Sequence, residues 1–264
     1  DYYRVTTDGA STISVTFDTP TNTSSDYFKV SLQNASGTVL SSQETGSDIT
    51  FDTGVTSAGD YYIVVEDADW HSSQEYSIST TVTATSVASN TAETESNDTL
   101  GTADTIEMGT EITGQVGSTS DLDIYTFNTT QASTLRMVFD VPTNTSSKYF
   151  SASVRDASGS VLSSHEVGSD LTFSTALSTS GTYYVQVEDA DWHSDDQYSL
   201  TGTLLNGTSG YETETNGTIA AADVLTSGGS AVGQLAGTAD KDYYRVTTDG
   251  ASTISVTFDA PTNT

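Results

Sequence analysis

The chain repeats itself, and that limits its fold more than any single motif does. "DYYRVTTDGASTISVTFDTPTNTSSDYF" (Asp1–Phe28) aligns with "DIYTFNTTQASTLRMVFDVPTNTSSKYF" (Asp123–Phe150). This offset of 122 residues holds without a gap as far as Ser77 and Ser199. A second pair, "ETESNDT" at Glu93–Thr99 and "ETETNGT" at Glu212–Thr218, lies 119 residues apart. The missing residues fall between copies, where surface connections tolerate deletion. Asp242–Thr264 then reproduces Asp1–Thr23 with one change, Ala260 in place of Thr19, so a 241-residue super-repeat begins again. A chain built this way must fold into units that sit beside their own duplicates. The expected units are a complete copy over 93–205, a copy over 1–83 lacking its leading part, and the leading part of a third copy over 212–264. The arrangement is expected to be one window on a longer tandem array.

Within a copy the apolar period is two. Ile13, Val15 and Phe17 alternate with polar neighbours, and Leu135, Met137 and Phe139 occupy the matching positions. Tyr61, Ile63 and Val65 match Tyr183, Val185 and Val187, while Val64 becomes Gln186, which predicts an outward-facing position there. "ASG" at Ala35–Gly37 and Ala157–Gly159 predicts hairpin turns. No stretch sustains a helical apolar period. About eight short strands in each copy predict an all-β fold of tandem β-sandwich domains with jelly-roll or Greek-key connections.

Charge narrows the partners. Asp and Glu number 36 against 7 Lys and Arg, a formal charge of −29. Such a surface repels nucleic acid and anionic membrane and attracts cations. No apolar run is long enough for a membrane helix, and the chain has no cysteine, which excludes disulfides and thiolate zinc sites. Asn-x-Ser/Thr sequons at Asn22, Asn34, Asn97, Asn128, Asn144, Asn206 and Asn216 fit an exported, glycosylated protein, although chance supplies several in so Ser/Thr-rich a chain.

The ordered elements "ETESNDT", "ITGQV", "SDLDIYTF", "GTYYVQVE" and "YSL" across Glu93–Leu205 resemble the bacterial pre-peptidase C-terminal domain family, the broad group that includes the collagen-binding domains of clostridial collagenases. The resemblance implies a calcium-associated β-sandwich accompanying secreted enzymes and surface proteins, without catalysis of its own. Carried over position by position, its calcium ligands fall on Glu93, Glu95, Asn97, Asp98, Asp121 and Asp123. In the next copy they fall on Glu212, Glu214, Asn216, Asp240 and Asp242, and Gly217 replaces the aspartate, which predicts weaker binding there. The residues themselves agree with Ca2+, which takes six to eight hard oxygen ligands. A solvated acidic linker would carry the same letters. A glycan on Asn97 or Asn216 would exclude its use as a ligand.

Two further loops, "EDADWH" in both copies, hold Asp67, Asp69, Trp70 and His71, then Asp189, Asp191, Trp192 and His193. A catalytic zinc site needs three protein ligands and a base, and no second histidine is near in sequence. The loop is repeated because the module is repeated. Its tryptophans are expected to seal joints between modules, with binding of a polysaccharide or matrix protein as the alternative. No nucleophile elbow, zincin motif or phosphate loop occurs. The sequence therefore predicts a non-enzymatic extracellular or cell-surface repeat protein, a segment of a filament, stalk or surface layer whose main partners are neighbouring copies of the same repeat. The alternative is an adhesin acting through the Trp loop.

Overall fold

A computed structural model describes residues 1–20, 22–72, 74–85, 91–208, 210–235 and 238–259 of the chain. Seven strands form from the first copy: β1 (Tyr2–Thr7), β2 (Ser11–Asp18), β3 (Phe28–Gln33), β4 (Val39–Thr45), β5 (Ile49–Val55), β6 (Gly59–Asp67) and β7 (Ser77–Ala84). Nine form from the second: β8 (Asp104–Thr105), β9 (Glu111–Gly114), β10 (Asp123–Thr129), β11 (Ser133–Asp140), β12 (Phe150–Arg155), β13 (Val161–Val167), β14 (Leu171–Leu177), β15 (Gly181–Asp189) and β16 (Tyr198–Asn206). Two short strands follow, β17 (Asp223–Val224) and β18 (Tyr244–Arg245).

Each of the first two copies is a sandwich of two sheets. The second has sheets ordered β13-β12-β15-β10-β8 and β14-β11-β16-β9; the first has β1-β6-β3-β4 and β5-β2-β7. Registers coincide, with Tyr3 opposite Ile63 in one copy and Tyr125 opposite Val185 in the other. Most connections cross from one sheet to the other, and the tight in-sheet hairpins are β3–β4 and β12–β13. Their turns use Gly37 and Gly159 at positive φ, with the Asn34 or Asp156 side chain accepting from the turn amides.

Alternation places one face of every long strand between the sheets. Leu135, Met137 and Phe139 are fully buried against Phe150, Val154, Val185 and Tyr198, while Arg136 points to solvent. Full burial of each such side chain contributes roughly 1.5–3 kcal/mol. Phe139 stacks on Tyr198, and Phe150 meets the same ring edge-on from the opposite sheet.

One sequence expectation gains a limit. Val64 and Gln186 lie on the outer faces of their sheets, outside the core clusters, yet both are buried. They sit on central strands, with Tyr2 and Ser31 beside Val64 and Ile124 and Ser153 beside Gln186. Gln33 donates to Ser31 in the first copy, and Arg155 donates to Ser153 in the second.

Candidate functional site

The second copy begins with residues 91–93 laid along β9: Glu93 N–H donates to Thr113 O at 2.9 Å, and Thr113 N–H donates to Thr91 O at 2.9 Å. The next turn is pinned by Asp104, whose carboxylate accepts from both the amide and the hydroxyl of Thr94, each at 2.6 Å. Asp223 holds Thr213 in the same way in the third copy, at 2.8 and 2.7 Å. These two aspartates were not among the sequence candidates. The signal was their recurrence as "AD" at the constant offset of 119 residues.

Pinning the turn aims its acidic side chains at the end of β10. Two triads sharing Glu95 result, Glu93–Glu95–Asp123 and Glu95–Asp98–Asp121, each with ligand atoms within 4.8 Å of one another. Two oxygens on opposite sides of one calcium ion are at most about 5 Å apart, so this spacing fits shared coordination. Glu93, Asn97 and Asp123 are buried, Glu95 and Asp121 half-buried, and Asp98 exposed. Three oxygens aimed into the cluster, Glu95 Oε1, Asn97 Oδ1 and Asp123 Oδ1, have no hydrogen-bond partner in the protein. Their equivalents Glu214 Oε1, Asn216 Oδ1 and Asp242 Oδ1 are orphaned in the same way. An unpartnered buried oxygen costs free energy unless a cation or water satisfies it.

The electrostatics agree. Burial, then the charges of Asp121 and Asp98, pushes the Glu95 carboxyl up to about 8. Burial lifts Glu93 and Asp123 well above the carboxylate range, and Asp121 to about 6. In the third copy burial raises Glu214 to about 7 and Asp242 to about 6. Like charges gathered under low dielectric are a site for a hard cation.

The third copy brings together Glu212, Glu214 and Asp242 as one triad. Among the described residues the second triad has no counterpart there, because Gly217 stands where Asp98 would; Asp240 is half-buried beside it.

Beneath the cluster lie tyrosines that the sequence analysis passed over. Tyr125 OH contacts Glu93 Oε2 at 3.0 Å, Tyr198 OH contacts Asp123 Oδ2 at 2.6 Å, and Tyr244 OH contacts Glu212 Oε2 at 2.9 Å. In the first copy Tyr76 OH donates to Asp1 Oδ2 at 2.6 Å, and Tyr3 lies 2.8 Å from Tyr76. Gly114 is required here, since a Cβ would overlap both Tyr125 and Tyr198 hydroxyls.

Asn97 and Asn216 are fully buried, which leaves no space for a glycan in the folded protein. Asn22 and Asn144 use both ends of their amides on Asp48 and Asp170. Asn34 closes a turn, Asn128 accepts from Thr182, and Asn206 accepts from Gln131.

The Trp loops behave differently from expectation. His71 pairs with Asp67 and His193 with Asp189, each at 2.9 Å, but Asp69 and Asp191 add no third ligand. Trp70 is 62% exposed and Trp192 63%, so neither indole seals a joint. The backbone N–H of each ties the loop to the segment before β3 or β12, through Asp26 O and Lys148 O, and the rings are left outside.

The joints are made instead by side-chain amides and, at the first joint, also by Gly54 N–H donating to Glu93 O at 2.9 Å. Ser42 N–H donates to Gln115 Oε1 at 3.0 Å and Gln115 Nε2 donates to Ser42 O at 2.6 Å. Gln234 repeats both bonds on Ser164, at 3.1 and 2.7 Å. Each glutamine also donates its own backbone N–H to the cluster, Gln115 to Glu93 and Gln234 to Glu212.

No protein-family model and no curated protein matches the chain. Among solved structures it is similar to the pre-peptidase C-terminal domain of collagenase from Bacillus anthracis, with 21% identity and a TM-score of 0.32, over 38% of this chain and 94% of that one. It is also similar to the M60 catalytic domain with two CBM51 domains from Clostridium perfringens, with 8% identity and a TM-score of 0.25, over 77% of this chain and 33% of that one. The CUB1-EGF-CUB2 segment of human MASP-1/3 gives 13% identity and a TM-score of 0.25, over 77% and 92%. No described helix is long and apolar enough to cross a membrane.

Proposed function

We propose that the chain is a stretch of a non-enzymatic extracellular or cell-surface array of β-sandwich modules, each stiffened by calcium where it joins its predecessor. One observation carries the reading: a buried carboxylate cluster and a module-to-module contact meet at a single residue, and do so twice. Glu93 belongs to the cluster and accepts from Gln115, whose side chain grips Ser42 of the preceding copy. Glu212, Gln234 and Ser164 repeat the arrangement. Calcium suits it better than a transition metal, since every donor is a carboxylate or amide oxygen.

Calorimetric melting of the chain in calcium, in magnesium and in chelator at constant ionic strength tests the site. Calcium at a hundredfold excess over Kd stabilises by about 2.7 kcal/mol. Curves that coincide in all three solutions sink the calcium reading. The array reading is tested on native material: denaturing electrophoresis should show a chain far longer than 264 residues.

A second reading rests on Trp70 and Trp192, each exposed next to an imidazole that is held by an aspartate. An exposed indole beside fixed polar groups suits a sugar ring or a matrix protein. Tryptophan fluorescence that stays flat on titration with polysaccharides and collagen would remove it.

A further inference from the structure

β4 and β13 are edge strands, and an edge presents unpaired N–H and C=O groups to whatever lies beside it. Ser42 on β4 and Ser164 on β13 occupy the same place in their copies, and each has both backbone groups engaged by one glutamine side chain of the next copy. A carboxamide carries a donor and an acceptor much as a peptide group does, so it caps an edge as a further strand would. Gln115 Nε2 also donates to Asp195 O, tying the contact to a loop of its own module. At the first joint Gln197 does the same to Asp52 on edge strand β5, with bonds of 3.0 and 2.6 Å.

The charge around the contact explains the choice of an amide. Asp26 is raised first by burial and then by the charges of Asp69, Glu44 and Asp196, the last belonging to the other module. All five ion pairs among the described residues lie within a module and none crosses a joint. With 7 Lys and Arg against 36 acids, cations to pair across a joint are scarce on this surface. A neutral amide bonded to backbone supplies a directional contact without adding charge.

We infer that Gln115 and Gln234 are positioning residues that set the angle between successive modules, an edge-capping clamp whose repetition gives the array a single twist. Each joint is head-to-tail, and a head-to-tail contact repeated at a fixed rotation builds an open rod. The clamp goes beyond the calcium reading and does not depend on a bound cation.

The chain has no cysteine, so Ala35→Cys and Ala157→Cys, at equivalent exposed hairpin tips, give one pair of spin labels in the full chain. Inter-label distances are measured in chelator and again in calcium. The parent should show one narrow distribution in both. Gln115→Ala combined with Gln197→Ala should broaden it by roughly twofold or more as inter-domain freedom increases. Gln115→Ala alone should broaden it by less, because Gln197 and the Gly54–Glu93 bond still hold the joint, with the β-sheet circular dichroism retained in both. Gln115→Glu, which loses the donor and adds a charge, should broaden it further at low salt than at high salt. If Gln115→Ala fails to fold, Gln115→Met keeps the volume and removes all three side-chain bonds. An unchanged width in the folded double variant, read in chelator, overturns the clamp whatever calcium does. A calcium-independent melting curve with a broadened Gln115→Ala distribution overturns only the calcium reading.

Discussion

The hydroxyls of Tyr125 and Tyr198 lie 2.8 Å apart in the core, and each also touches a different carboxylate, Glu93 and Asp123. Three contacts among two hydroxyls and two carboxylates need three protons, and the hydroxyls carry two. Without a cation the third would sit on a carboxyl, the direction in which burial pushes Glu93 and Asp123. A cation bound in the cluster would take that proton's place, and Tyr198, packed on Phe139 and Phe150, connects these carboxylates to the aromatic core.

Tyr198→Phe therefore leaves Asp123 without its donor inside the protein. The expected loss is about 1–3 kcal/mol, the cost of an unsatisfied buried polar group. Urea denaturation in chelator measures it, and calcium titration of the same variant should give weaker binding. Equal stability of variant and parent would mean that the hydroxyl contributes nothing there.

Without calcium, stability should fall as pH rises. Glu95 titrates near 4.5 when unfolded and at about 8 when folded, raised by burial and then by Asp121 and Asp98. Between those values the folded state holds the extra proton, so the contribution of Glu95 is full below pH 4.5 and is lost as pH climbs through 8. Calcium requires the ionised carboxylate, so its binding should release protons near pH 7. Melting in chelator from pH 5 to 8, with calorimetry of calcium binding in two buffers of different ionisation enthalpy, measures both effects.

Asp98→Gly makes the complete copy resemble the next one, where Gly217 occupies that place. Calcium affinity is tuned by ligand charge count, and losing one carboxylate should weaken binding by about tenfold. Isothermal titration measures it. Thermal stability in chelator should hold or rise, because Asp98 adds to the repulsion at Glu95.

Trp192→Ala should leave melting within about 0.5 kcal/mol of the parent, as expected for an exposed side chain far from the core. The inter-label distance across the first joint should also stay unchanged, since that joint is made by Gln115, Gln197 and the Gly54–Glu93 backbone bond. A loosened joint would restore the indole to the role first expected of it.

Much of the site was legible from the order of its letters. Glu93, Glu95, Asn97, Asp98, Asp121 and Asp123 stand close in sequence or one strand apart, and oxygen-bearing side chains at that spacing point to a hard cation. Tyr125, Tyr198 and Gln115 were not legible as site residues. Tyr and Gln suit a strand or a surface equally well, and their roles depend on which carboxylate or which neighbouring edge they meet.

Period-two alternation by itself assigned Ile13, Val15 and Phe17 to one face of a strand, and the repeat assigned the same pattern to Leu135, Met137 and Phe139. It could not decide whether that face is covered. Residues 242–259 have the same sequence as residues 1–18. Ile13, Val15 and Phe17 are 0% exposed, whereas Ile254, Val256 and Phe258 are 54%, 72% and 87% exposed and belong to no strand. β2 is flanked by β5 and β7, which supply its ladder partners, and β3 and β6 cover its apolar face from the opposite sheet. Residues 246–259 have no such partners among the described residues. The sequence determined the faces of each strand. Whether those faces became a core was decided by strands supplied from elsewhere in the chain, because a strand gains its hydrogen bonds and buried area only from strands beside it.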